Sequence, residues 1–349
     1  MISARDFPRL AALARRAREF LGCELPFLGG AMTWVSEANL VSAISNAGGF
    51  GVLACGAMDP ERLAAEIRRT RARTDRPFGV NLIVMHPRLD ELVEACIAEG
   101  VGHVVLAGGL PPRPAVEILK RHGVKVMAFA PSLVLARRMV RQGIDALVIE
   151  GSEAGGHIGP VSTSVLAQEI LPHLREVPVF VAGGIGRGEM IAAYMAMGAA
   201  GVQMGTRFVC AEESIVHPRT KQAYIRASAR DAQPSVQVDP DFPVVPVRAL
   251  VNEATRDFVR FQLETIARHR AGELSADEAK LAIEHYWAGA LRRAVIEGDV
   301  ERGSLMAGQS VGMVTKIEPV EAILATLAEE TERALSARAG GLVEGVGAR

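Results

Sequence analysis

Short apolar runs alternate with amphipathic segments along the chain as far as Arg207. The runs are rich in branched residues and end in glycine or a polar residue, as buried parallel strands do. Each run but the last is followed by apolar residues at helical spacing, first by Leu40, Ile44 and Ala47. The runs occupy residues 24–32, 48–53, 77–82, 103–106, 125–129, 146–149, 177–184 and 200–207. Eight closely spaced strand–helix units predict an α/β fold, a closed TIM (β/α)8 barrel.

An open, doubly wound sheet is the alternative arrangement for alternating strands and helices. A dinucleotide-binding sheet of that kind carries a GxGxxG turn after an early strand. No early run here is followed by such a turn, and residues 184–188, with the sequence GIGRG, come nearest to it. Glu189 occupies the position at which the spacing requires glycine. The pattern therefore favours the closed barrel.

The character of the chain changes after Phe208. Residues 212–302 are more polar and contain a proline-rich loop at 239–246. Helical patterns follow at 251–267 and 275–295. We interpret this segment as a mainly helical cap domain inserted over the mouth of the barrel.

The sequence predicts that the chain returns to the barrel after the cap. A helical pattern at 319–335 is a candidate for the eighth outer helix. The expected organisation is a ligand-binding barrel over residues 1–211, a cap and substrate domain over 212–302, and a returning C-terminal segment over 303–349.

The stretch Glu150–Gly159, EGSEAGGHIG, directly follows the sixth apolar run. In barrels of alternating strands and helices, the loops after the strands carry the chemistry. This loop presents one imidazole among glycines, which let the backbone approach a ligand closely. Among the eight histidines, His157 alone combines the carboxyl end of a strand with a glycine-rich setting, so it is the candidate catalytic residue. The alternative is a structural histidine that donates to a nearby carbonyl group.

Two late runs end in glycine, at Gly183–Gly184 and at Gly205–Thr206. Phosphate sites in barrels are frequently built after strands seven and eight, from backbone N–H groups and a helix N-terminus. A helix that begins near Glu189 would direct the positive end of its dipole toward an anion. The alternative is that these glycines only make tight turns between strand and helix. Two adjacent loops together with Thr206 favour a bound phosphate group.

Polar side chains at other strand ends are candidates to bind a ligand. Asn81 can offer a donor and an acceptor to a flat heterocycle, or it can satisfy a turn. Glu150 can hydrogen-bond a polyol hydroxyl group or brace its own loop. Gln203 points into or out of the barrel according to the pleat, which the sequence does not determine. Residues 29–32 can lie against the face of a ring without interference from long side chains.

Composition restricts the classes of partner. A net charge of -1 over 349 residues gives no electrostatic reason to expect nucleic acid or an anionic membrane. The four cysteines lack CxxC spacing, no HExxH or other metal-ligand pattern occurs, and no uninterrupted apolar run reaches the length of a membrane span. We therefore expect a cytoplasmic protein with reduced thiols and no metal. Residues 308–312 spell GxSxG, but no buried strand precedes them, so a nucleophile elbow is not predicted.

Seven short motifs follow one another along the chain, and they are GGAMTWV (29–35), SNAGGFG (45–51), RPFGVNL (76–82), EGSEAGGHIG (150–159), VAGGI (181–185), QMGTRF (203–208) and GSLMAGQ (303–309). In this order they resemble the 2-nitropropane dioxygenase-like family of FMN-dependent barrels. That family includes nitronate monooxygenases and the flavin-dependent enoyl-acyl-carrier-protein reductase II. The resemblance extends from Pro26 to about Leu327.

The resemblance implies that FMN binds at the mouth of the barrel. Gly30 and Met32 would lie beside its ring, and Asn81 and Glu150 would bind its polar edges. His157 matches the active-site histidine of the family. The remaining positions would shape the phosphate and ribityl site and close it, and they are Gly155, Gly184, Gln203, Gly205, Thr206, Met306 and Gln309.

The resemblance implies two principal activities. A nitronate monooxygenase would oxidise alkyl nitronates with O2, with His157 as base or electrostatic partner. An enoyl-acyl-carrier-protein reductase II would use NAD(P)H to reduce an enoyl thioester on a carrier protein, with His157 as proton donor or enolate stabiliser. The loop AGGHIGPVS (154–162) places the monooxygenase first, whereas RALVNEATRDF (248–258) and GSLMAGQ are more similar to the reductase.

Two further functions are weighed beside these. An NAD(P)H:quinone reductase would use the same flavin, and a non-catalytic sensor of a phosphate-bearing ligand would use the same barrel without chemistry. The expected partner is a small-molecule substrate, and a homodimer is the expected assembly. No nucleic acid and no membrane are expected as partners.

Overall fold

The structure, a computed structural model, describes residues 2–240, 242 and 244–344. Within them, eight parallel strands form one sheet, and the number β7 belongs to a short strand outside it, Gly156–His157. The eight strands follow one another in the sheet in the order β1-β9-β8-β6-β5-β4-β3-β2, with the ranges β1 (Phe27–Gly29), β2 (Val52–Ala54), β3 (Gly79–Ile83), β4 (His103–Ala107), β5 (Lys125–Phe129), β6 (Ala146–Glu150), β8 (Val179–Ala182) and β9 (Gly201–Met204). Each predicted run overlaps one of these strands, and β2, β3, β4 and β6 each extend one residue beyond the run.

The two ends of this sheet meet where β1 pairs with Phe50, two residues before β2 begins. Leu28 and Phe50 form a parallel bridge there. The Gly29 N–H donates to the Phe50 carbonyl at 2.9 Å, and the Phe50 N–H donates to the Phe27 carbonyl at 2.9 Å. Both edge strands are thereby paired, so the sheet closes and the predicted TIM barrel is confirmed.

Helices surround the barrel in the order that the strand–helix alternation predicts. Helix α4 illustrates the local cause, because the Asp59 carboxylate accepts the Arg62 N–H at 2.8 Å and Pro60 occupies the first helical position. The helices that precede β1 or follow barrel strands are α1 (Pro8–Leu13), α2 (Arg15–Leu21), α3 (Ala38–Asn46), α4 (Pro60–Arg71), α5 (Leu89–Ala98), α6 (Arg113–Arg121), α7 (Leu133–Arg141), α8 (Thr163–Ile170), α9 (Gly188–Ala196) and α10 (Thr206–Val209).

Buried aromatic and basic groups close the barrel at the amino ends of its strands. His103 Nε2 lies 2.9 Å from the Phe20 carbonyl oxygen. The imidazole lies edge-on to the rings of Phe20 and Phe50, with centroid distances of 5.4 and 5.0 Å. Lys125 donates to the same Phe20 carbonyl. Burial, followed by the nearby Lys125 charge, lowers the pKa of His103 to about 4, so the imidazole is neutral in the folded protein.

Helix α14 (Val320–Glu344) packs against α9, α3 and α1. It therefore occupies the place of the eighth outer helix, as the pattern predicts. The Glu330 carboxylate accepts the Gly188 N–H at 2.8 Å, and the Glu332 carboxylate accepts the Leu10 N–H at 2.9 Å. The helix continues to Glu344 beyond the predicted end near residue 335, and residues 345–349 lie outside the described part of the chain.

The segment predicted to form the cap is mainly helical. A hydrophobic cluster of its own includes Phe258, Ile283 and Trp287. Residues 241 and 243 of the proline-rich loop lie outside the described residues, and the domain boundaries 212 and 302 stay a prediction. The elements of the segment are α11 (Pro218–Arg226), β10 (Ala232–Pro234), β11 (Val247–Leu250), α12 (Glu253–Arg270) and α13 (Ala276–Arg292), followed by a π-helical turn at Arg293–Glu297. Among the described helices, none combines the length and apolar character that spanning a membrane would need.

Candidate active site

Glu150 faces the barrel interior at the carboxyl end of β6. The preceding Val148 belongs to the interior cluster and Ile149 to the outer core, so alternation along the strand directs Glu150 inward. Its carboxyl group has no hydrogen-bond or ion-pair partner within the described residues. Burial raises the pKa of Glu150 to about 8. At neutral pH the carboxyl group is therefore protonated and can donate a hydrogen bond to a ligand.

Gln203 and Asn81 face the same end of the interior. Ala182 is in register with both Glu150 and Gln203, which places Gln203 on the inward side and settles the direction that the sequence left open. Asn81 and Gln203 are 5% and 7% exposed, and neither side chain has a hydrogen-bond partner within the described residues. Buried polar groups are normally hydrogen-bonded, so Asn81, Glu150 and Gln203 offer a ligand three unused groups.

The two predicted phosphate loops lie side by side, because β8 and β9 are neighbours in the sheet. Gly183 and Gly184 have φ angles of 94° and 71°, a backbone conformation that favours glycine. A Cβ atom added to Gly184 would lie 3.0 Å from the Cβ atom of Glu153. Helix α9 begins at Gly188, next to the predicted start, and α10 begins directly after Gly205.

The loops after β1 and β9 pack closely against each other. The Gly30 N–H donates to the Met204 carbonyl at 2.8 Å. A Cβ atom on Gly30 would lie 3.4 Å from that oxygen, and one on Gly205 would lie 3.3 Å from the Met32 sulfur. Gly30, Met32 and Gly205 are therefore brought together at one side of the mouth, next to Thr206.

The segment Met306–Gln309 lies against the loop that carries His157. A Cβ atom on Gly155 would lie 2.6 Å from the Ala307 carbonyl carbon, so this glycine is required by the contact between the two loops. Thr206 Oγ1 accepts the Gly308 N–H at 2.9 Å. The hydroxyl oxygen of Thr206 thus joins this segment to the second phosphate loop.

Met306 connects the cap segment to the histidine loop. The Tyr224 hydroxyl donates to the Met306 carbonyl at 2.7 Å. The Met306 side chain packs against the hydrophobic cluster that includes Phe258 and Trp287. Its sulfur lies 3.7 Å from the position of a Cβ atom on Gly156. Gly156, the residue before His157, therefore lies close to the Met306 side chain, which packs against the cap segment.

Glu153 belongs to the loop that carries His157 and anchors this loop by hydrogen bonds. The sequence analysis did not identify it. Its carboxylate accepts the Thr163 N–H at 2.8 Å and the Thr163 hydroxyl at 2.9 Å, at the first residue of α8. The Glu153 carbonyl accepts the Gln309 N–H at 2.9 Å. Glu153 thus connects the histidine loop to a barrel helix and to the closing segment.

His157 lies in β7, which forms a three-stranded antiparallel sheet with β11 and β10. His157 is paired with Val247, and the Ile158 N–H donates to the Pro246 carbonyl at 3.0 Å. The imidazole is exposed at the rim of the mouth. Its backbone is therefore fixed by strands of the cap segment, whereas its side chain is accessible to a substrate.

Arg248 is the second residue that sequence reasoning missed. It is 7% exposed, and its guanidinium donates to the Ser152 carbonyl at 2.9 Å and to the Ala232 carbonyl at 2.6 Å. It joins the histidine loop, β11 and β10 in one hydrogen-bonded unit. A single charge within the apolar run Val247–Leu250 is the signal that could have identified it. Among the described residues, no group of three His, Cys, Asp or Glu side chains could hold a metal ion.

Comparison with known proteins identifies the family. A model of the nitronate monooxygenase family matches residues 15–330. The chain belongs to this family. It is therefore an oxidoreductase, and the matched residues of the nitronate monooxygenase family include every predicted site residue.

Individual relatives and solved structures are similar to the chain over most of its length. The chain is 32% identical to the (3aS,4S,5R,7aS)-5-hydroxy-7a-methyl-1-oxo-octahydro-1H-indene-4-carboxyl-CoA dehydrogenase of Mycobacterium tuberculosis, over 88% of this chain and 93% of that one. The structure of FabK from Thermotoga maritima is similar at a TM-score of 0.84 and 39% identity, covering 93% and 98% of the two chains. Nitroalkane oxidase from Streptomyces ansochromogenes is similar at a TM-score of 0.76 and 26% identity, covering 92% and 99%.

Proposed function

We propose that this member of the nitronate monooxygenase family binds FMN at the barrel mouth and oxidises alkyl nitronates with O2. The observation that carries the proposal is a set of three inward-facing polar side chains without partners among the described residues, Asn81, Glu150 and Gln203. A flat heterocycle with donors and acceptors on its edges, joined to a polyol, would satisfy such groups. When bound, FMN would supply electron transfer between substrate and oxygen.

Different residues at the mouth would bind different parts of FMN. Asn81 and the neutral Glu150 carboxyl would hydrogen-bond the polar edges of the ring, beside Gly30 and Met32. Backbone N–H groups after β8 and β9 and the nearby helix N-termini would bind the phosphate. The residues assigned to the phosphate and ribityl chain and to closure of the site are Gly155, Gly184, Gln203, Gly205, Thr206, Met306 and Gln309.

His157 would act on the substrate from the rim of the mouth. A protonated imidazole there would bind the anionic nitronate, and a neutral one would take a proton from the α-carbon of the parent nitroalkane. The strand pairing of β7 fixes the backbone of His157, so the side chain can keep one orientation toward the substrate. A cytoplasmic location and a homodimer stay predictions.

A second candidate is the NAD(P)H-dependent reduction of an unsaturated thioester. It is favoured by the similarity to FabK and to a carboxyl-CoA dehydrogenase, which exceeds the similarity to nitroalkane oxidase in sequence identity. In that reaction His157 would donate a proton or a hydrogen bond at the carbonyl end of the thioester. The same mouth residues would hold the cofactor.

The visible spectrum of the purified protein tests the proposal and separates its two branches. A bound flavin gives a yellow protein, and a colourless protein that takes up no FMN contradicts the proposal. Under anaerobic conditions, bleaching by a nitronate but not by NAD(P)H would support the monooxygenase. Rapid bleaching by NAD(P)H would instead support the thioester reductase or a quinone reductase.

We expect His157→Ala to retain flavin and to lose turnover. Removal of a general acid or base lowers turnover by about 10² to 10⁴-fold, whereas the flavin contacts lie on other residues. Steady-state turnover and flavin absorbance of the same sample measure the two effects. The matched control is His122→Ala, because His122 is exposed at the C-terminus of α6. Unchanged turnover in His157→Ala would remove His157 from the mechanism.

A further inference from the structure

A cavity beside the mouth contains none of the residues assigned to the flavin. It encloses about 330 Å³, within the size range of small-ligand pockets. Trp34 lines it from the loop after β1, two residues beyond Met32. Met58 and Arg62 line it from the loop after β2 and from α4. The cavity therefore lies at the carboxyl end of the barrel, next to the predicted position of the ring.

Trp34 has two features that ordinary packing does not require. Its φ angle of 69° is the only positive value of a non-glycine residue among the described residues. Its Nε1–H group is buried and has no hydrogen-bond partner within the described part of the chain. Backbone strain is found preferentially at functional sites, and an unpaired buried donor is costly.

Two guanidinium groups lie over the Trp34 ring. The Arg62 and Arg292 Cζ atoms are 5.2 and 5.9 Å from its centroid. Arg292 forms an ion pair with Glu297. Arg62 has no carboxylate partner within the described residues, so its charge is available to a ligand.

The carboxylates that also line the cavity are occupied within the protein. Glu37 accepts the Asn39 N–H at 3.0 Å, and Glu66 accepts the Ala38 N–H at 2.7 Å, at the start of α3. Arg69 lies 3.7 Å from Glu37 and 3.1 Å from Glu66. Neither acid forms an ion pair with Arg62, and the three arginines that line the cavity outnumber its two carboxylates.

We propose that this cavity binds the phosphate monoester of a nucleotide. The planar fork of the Arg62 guanidinium matches phosphate oxygens, and the Trp34 ring beneath it holds it beside the cavity. Met58, Ile215 and Ile296 line the cavity with apolar surface for the sugar or base. A ligand with an anionic group on a partly apolar body fits this combination.

Two nucleotides that matter to the second candidate function, the reduction of an unsaturated thioester, carry such a phosphate on a ribose. Coenzyme A carries a 3′-phosphate, and NADPH carries a 2′-phosphate. The assignment of the cavity to a substrate or a reductant rests on the proposed function, because it assumes that the reacting part of the ligand lies at the mouth. Binding of the phosphate monoester itself does not depend on the flavin chemistry.

Calorimetric titration of the flavin-loaded protein with matched ligand pairs tests the proposal. The pairs are coenzyme A with dephospho-coenzyme A, and NADP⁺ with NAD⁺, which differ by one phosphate and do not reduce the flavin. We expect wild type to bind the phosphorylated member of one pair at least about tenfold more tightly, as a charge-assisted contact implies. Arg62→Gln should abolish this preference and leave the flavin absorbance unchanged.

Two more variants control the measurement. Trp34→Phe replaces the ring beneath the Arg62 guanidinium by a weaker cation–π partner, so the preference should become smaller. Arg113→Gln changes an exposed arginine that is paired with Glu117, so the preference should be retained. A colourless protein that still prefers the phosphorylated ligand would contradict the flavin proposal and support this site.

The outcomes separate the sources of the phosphate. A preference for coenzyme A assigns the cavity to a thioester substrate, and a preference for NADP⁺ assigns it to the reductant. Inorganic phosphate that binds as tightly as either nucleotide, and loses binding in Arg62→Gln, would show a free-anion site and contradict the nucleotide assignment. No preference in wild type, or a preference retained in Arg62→Gln, would show that the proposal is wrong.

Discussion

At the residue scale, the protonation of Glu150 is coupled to what occupies the barrel mouth. The carboxyl group is partly buried and has no partner within the described residues, and the loss of hydration is the reason for its raised pKa. A ligand atom that accepts a hydrogen bond would keep the carboxyl group protonated, whereas a donor would favour the carboxylate. Neutral Glu150 therefore selects an acceptor atom on the bound molecule.

We expect Glu150→Gln to remove a pH-dependent loss of stability from the flavin-free protein. The pKa of Glu150 is about 8 in the folded state against an ordinary 4.5, so the folded state binds more protons between these values. Stability therefore falls as pH rises through this window, by up to about 4 kcal/mol. Thermal unfolding of both proteins at about pH 5 and about pH 9 measures the difference in slope.

The control for that experiment is Glu117→Gln, because Glu117 is exposed and paired with Arg113. This variant should keep the slope of wild type. If Glu150→Gln also keeps it, Glu150 is not the group that titrates.

At the element scale, the sheet β10-β11-β7 determines how the candidate catalytic residue is held. Two residues of β7 would not form a stable strand alone. Their pairing with β11 and the guanidinium of Arg248 connect the histidine loop to the cap segment. Movement of the cap segment would therefore move the backbone of His157.

We expect Arg248→Lys to lower kcat without loss of flavin. Lysine keeps the charge, but its single ammonium group cannot reproduce the fork that reaches both the Ser152 and Ala232 carbonyls. Loss of one charged hydrogen bond costs about 1.5–3 kcal/mol, which loosens the loop and should lower kcat at least about tenfold. Steady-state kinetics and flavin absorbance test this prediction.

Arg113→Lys is the matched control, because Arg113 is exposed and its guanidinium hydrogen-bonds to Glu117. A change in KM with unchanged kcat would assign Arg248 to substrate binding. Turnover equal to that of wild type would contradict its positioning role.

The elements differ in how well the sequence predicts them. Barrel strands are predictable because each is an apolar run of local sequence that ends in glycine or a polar residue, as at residues 146–150. The strand β7 is not predictable in this way, because it has two residues, one of them a glycine, and it pairs with Val247 and Arg248, far along the chain. Local periodicity contains no information about that pairing.

At the scale of the whole molecule, two buried groups give stability opposite dependences on pH. The pKa of Glu150 is raised and that of His103 is lowered, at opposite ends of the barrel. Protonation of His103 in the folded state would place a charge beside Lys125 among aromatic rings. The barrel is therefore destabilised by acid at its closed end and by base at its mouth.

We expect His103→Gln to weaken the dependence of the free energy of unfolding on pH in the acidic range. The pKa of His103 is about 4 when folded against an ordinary 6.5, so the unfolded state binds more protons between these values. Stability therefore rises with pH through that window, by about 3 kcal/mol. Thermal unfolding between about pH 4 and about pH 7 should show the rise in wild type and a smaller one in the variant.

His122→Gln serves as the control, because His122 is exposed and belongs to the surface of the barrel. It should reproduce the wild-type rise. The same rise in His103→Gln would mean that another group titrates in this range.

Site residues differ in whether their positions can be predicted from the sequence, because some positions depend on contacts between distant parts of the chain. Residues that follow barrel strands, such as Asn81 and Gly184, are predictable because the fold itself gathers the carboxyl ends of strands. The inward direction of Gln203 required the register of the closed sheet. The Trp34 cavity required three separate segments, at residues 34, 62 and 292, to meet in space.

Helix α14 completes the ring of helices by binding to the first helices of the chain. The Leu10 N–H that donates to Glu332 is separated from it by 322 positions. During synthesis on a ribosome, the surfaces of α1 and α9 that α14 covers therefore stay exposed until the last helix emerges. This packing is a non-local contact, which costs more loop-closure entropy than the pairing of neighbouring strands and helices.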